Sequence, residues 1–253
     1  MSLQSLENWH NYFKQNKVAT VDIPWQREND LSLREKSLIA KSIATFQLGE
    51  HSEGRHLLAF AAAYAQANDN RHIVPITKYF IAEEQNHAAL LKKFMALHGI
   101  ELLRKNWTDS IFRELRKYLK FEVSVTVLIT AEILSIVFYD ALKNATNSFL
   151  LKKICEKILR DEAAHIQYEA ELLEHIRSHK SPFAKLLVRF LHSFLFAGTT
   201  LVVYGTHRNV IRRGGYNRTK FCSASWEVFD KYFSRKGLDS VAAVNKAEQN
   251  FLP

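Results

Sequence analysis

The chain has 253 residues, 47% hydrophobic and 24% charged, enough to bury one large core, and its 8 Gly and 4 Pro favour long helices over sheet. Two cysteines without a Cys-x-x-Cys exclude an internal rubredoxin-type or zinc-ribbon site and point to a reducing compartment. The formal charge of +9 is concentrated: 175–226 holds nine Lys or Arg and no acid, while the remainder carries 26 residues of each sign. That segment is either a solvated helix end and loop or a docking surface for an anionic substrate, carrier protein or RNA.

In chain order, Leu3, Leu6, Trp9 and Phe13 form one stripe of a short helix over 3–16, followed by an extended connector broken at Pro24. Ser32-Leu-Arg-Glu35 is a capping box, and the pattern after it reads as one helix to about Ala67 with Ile39, Ile43, Phe46, Glu50, Glu53, Leu57 and Tyr64 on its seam. Gly49 inside that helix calls for a close neighbour. A second helix runs from about Arg71 to His98, stopped by Gly99, with Phe80, Glu84, His87, Leu91 and Phe94 on its stripe. A third spans about 108–144, where Glu132 is the only acid between Glu122 and Asp140; Tyr139, like Glu169 on the next helix, is a candidate for lining a pocket near the site, with plain core the preferred reading for Tyr139.

A turn at Asn144–Asn147 leads to a fourth helix ending near Ser178, with Ile158, Glu162, His165, Glu169 and Leu172 on one face. Ser181-Pro182 caps a fifth, to about 212, stopped by Gly214-Gly215, and short helices near 224–235 and 239–249 finish the chain. The apolar run Ser193–Tyr204 is too short to span a bilayer and reads as a buried helix, contact with a membrane surface being the lesser alternative. The N-terminus has no basic-then-apolar signal pattern. The expectation is a cytoplasmic protein with no membrane span.

Four Glu-x-x-His pairs occur, Glu7/His10, Glu53/His56, Glu84/His87 and Glu162/His165, where random placement gives roughly one. The last two break buried stripes, and each is preceded by a lone buried glutamate, Glu50 and Glu132. Two helix hairpins thus present the same set, a Glu facing a Glu-x-x-His, as an internal repeat with pseudo-twofold symmetry. Buried charges need partners or a metal. Four carboxylates and two imidazoles in this layout match carboxylate-bridged dinuclear sites of four-helix bundles and suit Fe or Mn better than zinc.

These residues resemble the ferritin-like superfamily of di-iron carboxylate proteins. Phe46-Gln-Leu-Gly-Glu50 is similar to the first-ligand segment of rubrerythrin-type proteins. Glu83-Glu84-Gln-Asn-His87 and Asp161-Glu162-Ala-Ala-His165 resemble the paired motifs of acyl-carrier-protein desaturases and the ribonucleotide reductase small subunit. The resemblance covers about 35–178 and implies an all-α, up-down-up-down four-helix bundle with a dinuclear metal site, plus a fifth long helix and short C-terminal helices. The expected organisation is one domain over 1–253, core 33–178 and extension 181–253.

By that resemblance Glu50, Glu84, His87, Glu132, Glu162 and His165 are metal ligands, with Glu84 and Glu162 or their partners bridging two Fe ions, or Mn/Fe or two Mn. Candidate additional or supporting residues are Glu53, His56 and Asp161, the last placed to orient a ligand histidine. The implied function is an oxidoreductase using O2 to oxidise an organic substrate; the alternative is a ferroxidase or rubrerythrin-like peroxidase. Expected partners are O2 or peroxide, an external electron donor, an anionic substrate or carrier at 175–226, and a second copy in a homodimer. Ile158 stands where the amine N-oxygenases carry an extra histidine.

Overall fold

The computed structural model describes residues 3–18, 22–26, 30–51, 54–104 and 121–233, and every regular element among them is helical. The helices are α1 (Leu3–Val18), α2 (Leu33–Glu50), α3 (Arg55–Ala67), α4 (Ile73–Leu97), α5 (Phe121–Ala145), α6 (Phe149–Arg177), α7 (Pro182–Arg213) and α8 (Arg218–Phe233). The start signals act as expected. Ser32 and Glu35 form a reciprocal capping box, and Ser148 and Ser181 cap α6 and α7 through their hydroxyls. Asp30 accepts from the Ser148 hydroxyl and the Leu150 amide at 2.8 Å each, and Glu35 accepts from the Asn147 amide at 2.6 Å, which pins the start of α6 to the start of α2.

Two apolar clusters hold the bundle, one at each end. Ile39, Ile43, Phe94, Phe138, Leu151 and Ile154 belong to one; Phe13, Ile76, Phe80, Ile129, Ile166 and Leu173 belong to the other. On α4 and α6 the residues between the clusters, 83–87 and 161–165, are the polar ones, so the candidate site is a layer sandwiched between two dry cores. The clusters also fix direction. Both α4 and α5 begin in the second cluster and end in the first, whereas α2 begins in the first and α6 runs from the first to the second. The bundle is therefore up-down-down-up rather than up-down-up-down, since α4 ends in the first cluster and α5 begins in the second. The repeat explains this: its pseudo-twofold axis lies across the helices, so the first helices of the two hairpins point in opposite directions.

Three local expectations are corrected. The helix expected from 33 to 67 is two, α2 and α3. His51 leaves helical geometry at φ −77°, ψ 75°, and Gly54 sits at φ 63°, where a Cβ would also overlap the Ile81 side chain. Gly49 has no close neighbour and is exposed in the last turn of α2. The helix expected near 224–235 begins at Arg218 and lays Phe221 and Phe229 into the core; the helix expected over 239–249 lies outside the described residues.

The run Ser193–Tyr204 is only partly buried. Phe196, Thr199 and Thr200 face inward, while Phe194, Leu201 and Val202 face out. Both α5 and α7 are long and apolar enough to cross a bilayer, but α5 is 78% buried over its most apolar window and α7 only 22%.

Candidate metal centre

Glu50 is the last residue of α2, Glu84 and His87 lie mid-α4, Glu132 mid-α5, and Glu162 and His165 mid-α6. The bundle brings all six together as two overlapping groups, Glu50, Glu84, His87 and Glu162, and Glu84, Glu132, Glu162 and His165, each with ligand atoms within 4.8 Å of one another. Glu84 and Glu162 are common to both. His87 Nδ1 stands 3.4 Å from Glu162 Oε1, 3.5 Å from Glu84 Oε1 and 3.9 Å from Glu50 Oε2. His165 Nδ1 stands 3.2 Å from Glu84 Oε1, 3.7 Å from Glu162 Oε2 and 3.9 Å from Glu132 Oε2.

None of these contacts has hydrogen-bond geometry: Glu84 Oε1, both Glu162 oxygens and both Nδ1 atoms are buried without a hydrogen-bond partner. Five orphaned atoms turned on one point are unusual, since buried polar atoms are nearly always satisfied. Donors sharing an ion at roughly 2.0–2.2 Å stand about 3.0–3.6 Å apart, which is the spacing of the shorter contacts here. The residues fit two oxygen- and nitrogen-ligated ions.

The outer nitrogens are fully engaged. His87 Nε2 meets Asp161 Oδ2 at 2.8 Å, and His165 Nε2 meets Glu83 Oε2 at 2.9 Å. Lys157 pairs with Asp161 from one turn away. Asn16 of α1 donates to Glu83 Oε1 at 2.8 Å and reaches Asp161 Oδ1 at 3.5 Å. Phe13 stacks on His165 at 5.9 Å and Phe80 packs on it at 4.6 Å, so α1 closes the imidazole side of the layer. On the other side the Tyr139 hydroxyl donates to Glu50 Oε1 at 2.6 Å.

Burial, aided by the charges of Glu84 and Glu162, pushes the Glu50 carboxyl up to about 8. Burial also works against Glu84, but the two imidazoles hold its carboxyl below the usual range. For His87 and His165 burial favours the neutral ring, yet the surrounding carboxylates outweigh it and keep both imidazoles protonated well above their ordinary range. Asp161, desolvated but bound by His87 and Lys157, is drawn down to about 2.

No family model matches the chain, and no curated protein does. A solved structure does: an R2-like ligand-binding oxidase variant with an aerobically reconstituted Mn/Fe cofactor, at TM-score 0.58 and 16% identity, over 89% of this chain and 90% of that one. The fold is ferritin-like. Within the ferritin-like bundle, the acid preceding each Glu-x-x-His reaches across to the other motif's histidine. The sequence marks Asp161 as such a residue; the signal for Glu83 is the doublet Glu83-Glu84 repeating Asp161-Glu162 in register, and Asn16 has no such signal. His56 is exposed on α3 and belongs to neither ligand group, and Glu53 lies outside the described residues. Tyr139, expected either as core or beside the site, is buried and donates to Glu50, and Glu169 is buried on α6.

Proposed function

We propose that this chain, acting as one ferritin-like domain, is a dinuclear metal oxidoreductase that uses O2 to oxidise an organic substrate, with Fe or a Mn/Fe pair as its cofactor. The observation that carries the reading is the set of five buried, unsatisfied donor atoms from Glu84, His87, Glu162 and His165 converging between two symmetry-related hairpins. The fold shared with an Mn/Fe oxidase supports it.

In this reading Glu50, Glu84, His87, Glu132, Glu162 and His165 would hold the ions, with Glu84 and Glu162 common to both groups. When bound, such an ion pair supplies redox electrons and Lewis acidity for the activation of O2. The protein supplies the rest. Asp161 and Glu83 fix the two rings through Nε2, the flanking apolar clusters keep bulk water from the layer, and Tyr139 holds a proton on the Glu50 side. Electrons would come from a separate donor, since the chain has no Cys-x-x-Cys for a rubredoxin-type centre.

The test is anaerobic loading with Fe(II), alone or with Mn(II), followed by metal analysis and Mössbauer spectroscopy after O2 exposure. The expected result is two metals per chain and a coupled dinuclear spectrum, both lost in Glu162→Ala. Absence of stoichiometric metal in the wild type overturns the reading, and rapid turnover of Fe(II) or peroxide with no organic substrate replaces the oxidase with a protective ferroxidase or peroxidase.

A further inference from the structure

The outward face of α7 carries an apolar stripe that the described residues leave uncovered. Phe183, Leu186, Leu187, Phe190, Leu191 and Phe194 recur at three- and four-residue steps and are all exposed, Phe183 by 76% and Phe194 by 75%. No residue from Pro182 to Leu191 is buried; packing against the bundle begins at His192, whose ring meets Thr130 Oγ1 at 3.1 Å and the edges of Phe229 and Phe233. Contiguous exposed apolar surface of this kind marks a contact site.

Cations accompany the stripe. Lys180 precedes it, Lys185 and Arg189 fall within its span on the other sides of the helix, Arg208 and Arg212 follow it, and no Asp or Glu occurs between 175 and 226. Lys180 is held by Glu122 at 3.0 Å, while Lys185, Arg189, Arg208 and Arg212 make no ion pair among the described residues.

This combination selects among occupants. A second copy of α7 laid along the stripe, in either direction, sets cations against cations with no acid on this segment to offset them. A purely acidic protein surface matches the cations but leaves the Phe and Leu side chains without an apolar counterpart. An anionic bilayer matches both, since lipid phosphates meet Lys and Arg while the acyl boundary receives the rings.

We propose that α7 is a membrane-docking helix that lies in the surface plane of an anionic lipid bilayer, with the Phe183–Phe194 stripe entering the acyl boundary and Lys185, Arg189, Arg208 and Arg212 on headgroup phosphates. It docks without crossing, because its other face, with His192, Phe196, Thr200 and His207, is committed to the bundle. The inference is independent of the metal reading, and its test requires no metal.

The experiment is co-sedimentation of the full-length protein with vesicles of mixed phosphatidylglycerol and phosphatidylcholine, and with phosphatidylcholine alone. The protein is expected to bind the mixed vesicles, to bind the neutral ones weakly, and to be released by salt. Phe190→Glu with Phe194→Glu, and separately Arg208→Glu with Arg212→Glu, are expected to lower the affinity about tenfold or more. Unchanged thermal unfolding, expected because all four side chains are exposed, separates this loss from misfolding.

Failure to bind anionic vesicles, or equal binding by the Phe variant, overturns the proposal. Equal binding to neutral vesicles overturns the anionic choice. A wild-type dimer in analytical ultracentrifugation that the Phe variant dissolves, without vesicle binding, assigns the stripe to a second copy instead.

Discussion

Glu83 on α4 and His165 on α6 meet at 2.9 Å across the bundle, and Asp161 on α6 meets His87 on α4 at 2.8 Å in the reciprocal arrangement. Each hairpin therefore orients the imidazole of the other, and Asn16 spans the two acids. Glu83→Ala or Asp161→Ala is expected to weaken metal binding by roughly 10–100-fold while leaving all six candidate ligands in place. Competition against a chelator measures this, and unchanged affinity in both variants would assign the two acids a purely structural part.

Metal loading should release protons, because His87 and His165 are held as imidazolium by the carboxylates around them. About two to three protons per chain are expected at pH 7, the third from Glu50. Calorimetric titration in buffers of different ionisation enthalpy gives the number directly; no release would mean that the ions bind elsewhere.

The Tyr139 hydroxyl is fully buried, and Glu50 Oε1 is its acceptor. Tyr139→Phe leaves that oxygen without its donor and should cost about 1–3 kcal/mol in urea unfolding of the metal-free protein. A cost near zero would show that water replaces the phenol.

Gly54→Ala combines a residue at positive φ with a methyl group that overlaps Ile81. The expected loss is about 2 kcal/mol or more. A double-mutant cycle with Ile81→Ala should recover only the overlap part, leaving the cost of the backbone conformation.

His192 and His207 are buried, and desolvation brings them down to about 3 and about 4. With folded values below the ordinary 6.5, the unfolded state binds more protons, so their contribution is intact above pH 6.5 and is lost as pH falls. Each gives a slope of about 1.4 kcal/mol per pH unit between about 6.5 and its folded value. Glu50, protonated in the fold up to about 8, opposes one of them over the same window. In a pH series of urea unfolding, wild-type stability should still fall from pH 6.5 to 4.5, His192→Gln or His207→Gln alone should flatten that fall, and the two together should reverse it.

The six residues of the candidate site were legible because each is a polar break in an otherwise apolar helical stripe, a one-dimensional signal. Glu83 was harder, since it lies beside Glu84 but off that stripe, and its role depends on which helix faces it. Asn16 carries no local signal: only the docking of α1 brings it to the two acids. The break after Glu50 was hidden by strong helix formers on both sides, although Gly54 was its marker. On α7 the difficulty is different. Periodicity reports which residues share a face and not whether anything covers it, so two apolar faces read as burial. The direction of the second hairpin depends on how the twofold axis lies across the helices, which the order of the motifs along the chain does not record.

Of the six candidate ligands, Glu50 alone sits at a helix end; the other five are flanked by whole turns of helix on either side. Fraying at a terminus requires far less free energy than opening a helix from its middle. Amide hydrogens around Glu50 should therefore exchange through small local openings, while those around Glu84, Glu132 and Glu162 exchange only when much of the bundle opens. Exchange at this corner of the layer should therefore follow the fraying of one helix end, and exchange at the other five positions the stability of the two cores.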